Sequence, residues 1–183
     1  FRRNVPIVTY EDFEPYIEKA RQGNPDVFWP GYIRKFAKSS GTTNAKSKFI
    51  PISEECLEDC HFKAGKDLLS IYANNHPENS LFSNKNLRLG GSSELYEDFN
   101  TKFGDLSAIM IENLPFWVEI TTTPSKKVSL MSEWESKLKA IVSEVKNEDV
   151  GSITGVPSWM MVLLQRTLAE TGKENIAELW PNI

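Results

Sequence analysis

The segment Ser-Ser-Gly-Thr-Thr-Asn at residues 39–44 places a run of hydrogen-bond donors around one glycine. Hydroxyl groups and the backbone N–H groups of a glycine-containing turn can converge on an anion such as phosphate. Cations surround the segment, within a window over residues 27–53 that contains no Asp or Glu. These cations are Arg34, Lys35, Lys38, Lys46 and Lys48. The pattern is compatible with a polyphosphate site whose donors would be Ser39, Ser40, Gly41, Thr42 and Thr43.

The same residues are also compatible with a solvated surface turn. The segment is not a P-loop, because its glycine spacing differs and no lysine directly precedes the hydroxyl pair. It also differs from the GxGxxG turn that opens a long helix in dinucleotide-binding domains. Ser, Thr and Gly are common in ordinary turns, and charge runs are usually solvated. The residue types by themselves therefore leave both interpretations open.

Other residues that could do chemistry carry weaker signals. LGGSSE at residues 89–94 could form a second anion-binding turn, but a plain strand-to-helix turn explains it better. Cys56 and Cys60 lie four residues apart on a predicted helix, where a strain-free disulfide is difficult to form, and His61 points about 100° away from Cys60. We interpret both cysteines as reduced and predict no metal site here. Ser40 lacks the GxSxG context of a nucleophile.

Two predicted strands flank the hydroxyl-rich segment. YIRKFAKS at residues 32–39 alternates as a short strand does. KFIPI at residues 48–52 is a second candidate, whose proline suits an edge strand or a strand end. Before them, Thr9 and Asp12 form a capping-box pattern at the start of a helix over residues 10–22. The hydroxyl-rich segment is thus expected to be a loop between strands.

The rest of the chain alternates between helical and extended patterns. We predict a helix from Ser53 to about Ala73, and then a strand, a glycine turn and a short helix capped by Ser92 or Ser93 over 86–99. Residues 106–124 should form a helix before Pro115 and an irregular apolar segment after it, followed by a helix over about 130–147. A strand, a turn and a helix follow over 151–172, with Pro157 at the first helical position and Gly172 past the end, and a short helix ends near Pro181. This alternation predicts an α/β fold in which a β-sheet is flanked by helices.

The last strand–turn–helix unit contains a further candidate site. Val156, Pro157 and Trp159 lie just past a predicted strand end, which is where open α/β sheets tend to bind ligands. Ordinary packing at the start of a helix explains the same residues equally well.

Composition limits the classes of function. A chain of 183 residues with 40% apolar and 25% charged side chains is long enough for one domain with a core, so we expect residues 1–183 to form a single domain. A net charge of -4 argues against nucleic-acid binding, which needs a basic face. No apolar run is long enough to span a bilayer, and residues 1–14 lack a signal-peptide pattern. We expect a soluble, cytoplasmic protein that does not bind membranes.

The hydroxyl-rich segment and its flanks resemble a known motif. SSGTT between two strands is similar to the phosphate-binding loop of adenylate-forming enzymes. More narrowly, FAKSSGTTNAKSKFIPIS resembles the first nucleotide motif of the auxin-responsive Gretchen Hagen family of acyl acid-amido synthetases, especially its bacterial branch. VPIVTYEDFEPYIE, GVPSWM and ELWPN resemble further parts of that family, so the resemblance covers the whole chain. Asn44, and the order Ser47-Lys48, depart from the broader superfamily pattern.

The resemblance implies a function, a set of ligands and a place in a longer chain. Family members activate a carboxylic acid with ATP and Mg²⁺ and transfer the acyl group to an amino acid. On this mapping, Ser39, Ser40, Gly41, Thr42 and Thr43 hold the phosphates, Lys48 neutralises charge, and Val156, Pro157 and Trp159 line the acyl pocket.

The resemblance also implies that the catalytic residues and the ligands of Mg²⁺ follow residue 183. We therefore expect the N-terminal part of an adenylate-forming domain, which is inactive alone and self-associates through uncovered apolar surface. An aryl- or acyl-CoA ligase, in which a thiol attacks instead of an amine, and a non-catalytic binding module remain the alternatives.

Overall fold

The computed structural model describes residues 3–39, 47–90 and 95–183, which fold into helices and short strands. In chain order these are helix α1 (Tyr10–Arg21), strands β1 (Lys35–Lys38) and β2 (Phe49–Ile52), a π-helical segment (Cys56–Phe62) that continues into α2 (Lys63–Asn75), strands β3 (Lys85–Leu89), β4 (Leu95–Asp98) and β5 (Thr101–Gly104), helices α3 (Leu106–Glu112) and α4 (Phe116–Thr121), strand β6 (Thr122–Thr123), helices α5 (Lys126–Ser129) and α6 (Trp134–Val145), strand β7 (Val150–Gly155), and helices α7 (Pro157–Thr171) and α8 (Ile176–Leu179).

The first sheet has the strand order β2-β1-β5-β4. Strand β1 pairs antiparallel with β2 and parallel with β5, and β4 and β5 form an antiparallel hairpin. Phe36 of β1 is fully buried and packs with Ile17 and Ala20 of α1. Ala37, the next residue of β1, packs in a second cluster with Leu57. Both faces of β1, the strand that leads into residues 40–46, are therefore covered.

The second sheet has the strand order β6-β3-β7, and all of its pairs are parallel. One face packs against α6, α7 and α8 to form the main apolar cluster of the described residues. The fully buried members of this cluster include Leu87, Leu138, Ile141, Leu163 and Trp180. The α/β fold with sheets flanked by helices is thus confirmed, although the strands divide between two sheets.

Several predicted elements are confirmed with their local signals. Helix α1 begins with the predicted capping box, in which the backbone N–H of Thr9 donates to Asp12 Oδ2 at 2.7 Å. Helix α7 has Pro157 in its first turn and ends at Gly172, whose φ of 65° is left-handed. Strand β2 lies at a sheet edge, where its proline leaves no ladder bond unmade. Local signals located these elements because they act over only a few residues.

The prediction of a short helix within residues 86–99 is wrong. Residues 95–98 form β4, which pairs with β5, and the ring of Tyr96 stacks on that of Phe103 at 5.5 Å. Phe99 and Asn100, both with positive φ, make the tight turn between the two strands. Cross-strand pairing thus overrides the local helical pattern. Ser92 and Ser93, the predicted caps, lie outside the described residues.

Two predicted apolar segments behave differently in the structure. The segment after Pro115 is helical as α4 rather than irregular, because Pro115 is its N-cap residue, where a missing backbone N–H breaks no bond within the helix. The helix predicted from Ser53 to about Ala73 forms as the π-helical segment followed by α2. The apolar stripe of α2 is exposed: Leu68 is 67% and Ile71 is 61% accessible. This surface is compatible with self-association, which stays a prediction.

Within the described ranges, no helix is long and apolar enough to cross a bilayer.

Gly155, at the end of β7, occupies a position without room for a side chain. A Cβ atom there would lie 2.9 Å from the carbonyl oxygen of Leu89 and 2.9 Å from Cε of Met160. We expect Gly155→Ala to lower the free energy of unfolding by about 1–3 kcal/mol, because β3 or α7 must shift.

The matched control for this variant is Gly65→Ala on α2, where nothing lies within 4 Å of an added Cβ. This change should raise the free energy of unfolding by about 0.5–1 kcal/mol, because it removes a glycine from a helix interior. Urea unfolding measures both variants. If the urea concentration at the midpoint of unfolding is the same or higher for Gly155→Ala than for the unsubstituted chain, the close packing around Gly155 is contradicted.

Candidate functional site

The predicted phosphate loop is bracketed by paired backbone. Ser39 N–H donates to the carbonyl oxygen of Lys48 at 2.9 Å, and Lys48 N–H donates to Ser39 Oγ at 3.1 Å. The first bond continues the backbone pairing of β1 and β2 by one residue on each strand, and the second joins the backbone of Lys48 to the side chain of Ser39. Ser40, Gly41, Thr42 and Thr43 lie outside the described residues. Because the backbone N–H of Ser39 is occupied by this pairing, Ser39 could offer a phosphate only its hydroxyl.

Lys48, the predicted neutralising cation, is held by the first turn of α1. Its Nζ lies 3.8 Å from Glu11 Oε1 and 4.9 Å from the centroid of the Tyr10 ring. The pKa of the Glu11 carboxyl lies below its ordinary value, chiefly because of a hydrogen bond from its own backbone amide, then because of the Thr9 hydroxyl, with a smaller contribution from the charge of Lys48. The carboxylate that balances Lys48 therefore comes from a distant part of the sequence.

The other described cations of the 27–53 window do not all gather at the loop. Lys35 Nζ donates to the carboxylate of Glu54. The guanidinium of Arg34 lies 5.5 Å from the ring centroid of Tyr32, just before the start of β1. Although the window contains no Asp or Glu, acidic residues outside it pair with some of its cations.

The predicted acyl-pocket residues lie at the junction between β7 and α7. Val156 is 43% and Trp159 is 40% accessible, and the Trp159 ring lies 5.9 Å from that of Trp134. Val156, Pro157 and Trp159 are not among the residues that line the apolar cavity described next. Their assignment to the acyl pocket stays a prediction.

A cavity of about 320 Å³, which the sequence did not reveal, lies between α2, α4 and the outer face of the second sheet. Its walls are mainly apolar, with hydroxyl and amide groups from the strands and Lys66 from α2. The lining residues are His61, Phe62, Gly65, Lys66, Leu68, Leu69, Leu81, Phe82, Asn86, Met110, Leu114, Trp117, Val118, Thr121, Thr122, Ser152 and Thr154. An apolar chamber with a few polar groups is the usual form of a small-molecule site.

The polar groups of this cavity come from the strand faces opposite the core. Asn86 Nδ2 donates to Ser152 Oγ at 2.8 Å and to Thr154 Oγ1 at 3.1 Å. The register of β3 and β7 places them together, because Asn86 is paired with Ser152 while Leu87, which faces the core, is paired with Ile153. Alternation of polar and apolar residues in NLRL and in GSIT was the signal that could have located this polar surface.

Arg88 extends the polar face of β3 beyond Asn86. Its Nε is buried and has no hydrogen-bond partner among the described residues. Burial lowers the pKa of the Arg88 guanidinium, and the nearby carboxylate of Glu119 on α4 opposes that shift. A buried guanidinium nitrogen without a partner is costly, so this part of the face is electrostatically suited to an additional acceptor.

The described residues show no metal-binding constellation. Over the ranges 3–39, 47–90 and 95–183, no group of three or more His, Cys, Asp or Glu side chains is placed to hold an ion. Cys56 and Cys60 are free thiols on the π-helical segment, and burial raises the pKa of the Cys56 thiol. These residues do not form a site that fits Mg²⁺, so no chemical step is assigned to a metal here.

Comparison with known proteins identifies relatives by sequence. The chain is similar to the jasmonoyl–L-amino acid synthetase JAR4 of Nicotiana attenuata, with 42% identity over 59 residues, 32% of this chain and 10% of that protein. It is also similar to the 4-substituted benzoates–glutamate ligase GH3.12 of Arabidopsis thaliana, with 38% identity over 63 residues, 34% of this chain and 11% of that protein. The aligned segments are therefore about a tenth of these relatives.

Comparison with solved structures supports the fold. The chain superimposes on the GH3.15 acyl acid amido synthetase with a TM-score of 0.70 and 20% identity, covering 93% of this chain and 30% of that one. The same enzyme in complex with 2,4-DB gives a TM-score of 0.67. A model of the GH3 family N-terminal domain matches residues 1–183. Since this match includes every residue of the chain, the protein belongs to the GH3 family and carries its N-terminal domain.

Proposed function

We propose that residues 1–183 are the N-terminal part of a longer, ATP-dependent acyl acid-amido synthetase. In the proposed reaction, an oxygen of the substrate carboxylate attacks the α-phosphorus of ATP, which forms an acyl-adenylate and releases pyrophosphate. The amine of an amino acid then attacks the acyl carbon, which forms an amide and releases AMP and a proton. The names of the sequence relatives, which are amino acid synthetases and ligases, support this activity over thioester formation.

The observation that carries the proposal is the cavity between α2, α4 and the second sheet. Its apolar walls suit the body of an acyl acid, and the polar groups of Asn86, Ser152 and Thr154 suit the orientation of a polar end. A solved relative in the family holds 2,4-DB, which supports an acyl acid as the kind of ligand. The cavity volume of about 320 Å³ is at the lower end of the range for small-molecule sites.

In this proposal the phosphates of ATP lie at the loop between β1 and β2. Ser39, Ser40, Gly41, Thr42 and Thr43 donate hydrogen bonds to the phosphate oxygens, and Lys48 compensates charge as pyrophosphate leaves. Donors that are fixed before the reaction stabilise developing charge without reorganisation. Mg²⁺, when bound, would supply further charge compensation through residues outside this chain.

Two narrower assignments also belong to the proposal. The resemblance of the loop region favours the bacterial branch of the family. A cytoplasmic location is the expected one for an enzyme that uses ATP and free amino acids.

The acyl site can be tested by filling the cavity from α2. We expect Gly65→Leu to raise the KM for the acid by about tenfold or more and to leave the KM for ATP unchanged, because an added side chain occupies apolar volume only in the acid site. The measurement is acid-dependent exchange of labelled pyrophosphate into ATP by the complete polypeptide that carries this domain. An exposed position nearby, Ala64→Leu, is the matched control, since Ala64 is not among the lining residues.

The outcomes separate the site from the activity. An unchanged KM for the acid in Gly65→Leu would remove the cavity from the proposal. Absence of acid-dependent exchange in the unsubstituted polypeptide, over a panel of aromatic and aliphatic acids, would remove the adenylating activity itself.

A further inference from the structure

The hydroxyl of Tyr10 contacts the backbone at the exit of the β1–β2 loop, 39 residues away in the sequence. Phe49 N–H donates to Tyr10 Oη at 2.8 Å, and the Tyr10 hydroxyl in turn donates to the Phe49 carbonyl oxygen at 3.4 Å. Phe49 is the first residue of β2 and directly follows Lys48. One hydroxyl on α1 therefore satisfies both backbone groups of the residue at which the loop rejoins the sheet.

The register of the sheet explains why Phe49 needs such a partner. The bonds between Ser39 and Lys48 show that these two residues face each other as a hydrogen-bonded pair. In an antiparallel ladder such pairs alternate, so the backbone groups of Phe49 point away from β1 towards the free edge. The next outward residue is Pro51, which has no N–H to satisfy. The Tyr10 hydroxyl thus accepts from Phe49 N–H, the only N–H of β2 that points towards the free edge.

Packing fixes the Phe49 side chain as well as its backbone. The guanidinium of Arg21, at the end of α1, lies 3.8 Å from the centroid of the Phe49 ring. The ring of Phe103 on β5 lies 5.5 Å away on an edge-to-face geometry. Phe49 is therefore contacted by α1 at two points and, across β1, by Phe103 of β5 at a third.

The same turn of α1 also directs the side chain of Lys48. The ammonium group lies 4.9 Å from the Tyr10 ring centroid and 3.8 Å from Glu11 Oε1. The Lys48 side chain is half exposed, so only these contacts and its fixed backbone limit where the charge lies. Since the interaction of two charges depends on their separation, the position of this ammonium matters to any phosphate beside it.

We propose that Tyr10 is a positioning residue for nucleotide binding, which acts on the phosphates through Phe49 and Lys48 without touching the nucleotide. This inference rests on the proposed function, in which Lys48 compensates phosphate charge. A phenylalanine at position 10 keeps the ring beside Lys48 and the packing against the cluster around Ile17. The hydroxyl is needed only for the backbone of Phe49.

The test is Tyr10→Phe in the complete polypeptide, with ATP, pyrophosphate and acid binding measured separately by calorimetry. We expect the dissociation constants for ATP and pyrophosphate to rise about 3–10-fold, because the backbone of Phe49 loses both hydrogen bonds with the Tyr10 hydroxyl and Lys48 is positioned less well. The dissociation constant for the acid should stay the same. The amide of Phe49 should exchange its hydrogen faster. Tyr16→Phe is the matched control, because Tyr16 lies on the same helix and its side chain is about half exposed, at 52%; its constants should not change.

A double-mutant cycle tells positioning from general stability. In a Lys48→Ala background, Tyr10→Phe should have no further effect on ATP affinity, because the hydroxyl acts through Lys48. An equal effect in both backgrounds, or a loss of acid affinity along with ATP affinity, would overturn the positioning role. Unchanged ATP affinity in Tyr10→Phe would overturn it while the proposed function stands. Failure of the unsubstituted polypeptide to bind ATP would overturn both.

Discussion

Replacing Ser40 and Thr42 together by alanine should lower acid-dependent pyrophosphate exchange by about 100-fold or more. Both hydroxyls belong to the segment between β1 and β2 that we propose to hold the phosphates. A donor aimed at charge that develops in the transition state contributes far more than an ordinary surface hydrogen bond, because it is already oriented before the reaction. Loss of two such donors is therefore expected to act mainly on kcat. Exchange of labelled pyrophosphate into ATP measures the effect.

The control for this double variant is Ser47→Ala, which removes a hydroxyl from the same connection, outside the Ser-Ser-Gly-Thr-Thr series. Its exchange rate should stay within about twofold of the unsubstituted rate. If the double variant exchanges pyrophosphate as fast as Ser47→Ala does, the loop takes no part in the reaction and the assignment of the phosphates to it is wrong.

Replacing Trp180 by alanine should lower the free energy of unfolding by about 3–5 kcal/mol. Trp180 is 1% accessible and packs in the main cluster with α6 and α7, and its Nε1 donates to the carbonyl oxygen of Val145 at 3.3 Å. Truncation leaves a large cavity and an acceptor without its partner. Urea unfolding followed by circular dichroism measures this loss.

Two further variants test the origin of this effect. Trp29→Ala removes the same side chain from a position that is 49% accessible, and it should cost much less. Trp180→Phe keeps most of the apolar volume and should lie between the two. Equal losses at Trp29 and Trp180 would show that burial in the cluster is not what makes Trp180 stabilising.

Elements with strong local signals were predictable from the sequence. Helix α1 was located by Thr9 and Asp12 at its start, and helix α7 by Pro157 at its start and Gly172 past its end. The two strands on either side of the hydroxyl-rich loop were also predicted, although the first begins at Lys35 and not at residue 32. Each of these signals depends on residues that are close together in the sequence, so the sequence alone was sufficient to locate the elements.

Elements that depend on distant partners were not predictable in the same way. Residues 95–98 have a helical pattern but form β4, because pairing with β5 and the stacking of Tyr96 on Phe103 stabilise the extended form. The apolar stripe of α2 indicated a buried face, whereas Leu68 and Ile71 are exposed in the structure. Periodicity shows that a face is apolar but does not show what covers it.

For the candidate site, the sequence by itself determined the types of chemical group and the two strands that flank the proposed phosphate loop. Hydroxyls, one glycine and cations in one short window are compatible with an anion site and with a solvated turn, and only the resemblance to a family motif favoured the anion site. Only the tertiary structure decided which distant side chains join them. Glu11 and Tyr10 meet Lys48, and Asn86 meets Ser152 across 66 residues, because strand register and helix packing bring these positions together. Spatial proximity of this kind is a property of the folded chain, and no local pattern encodes it.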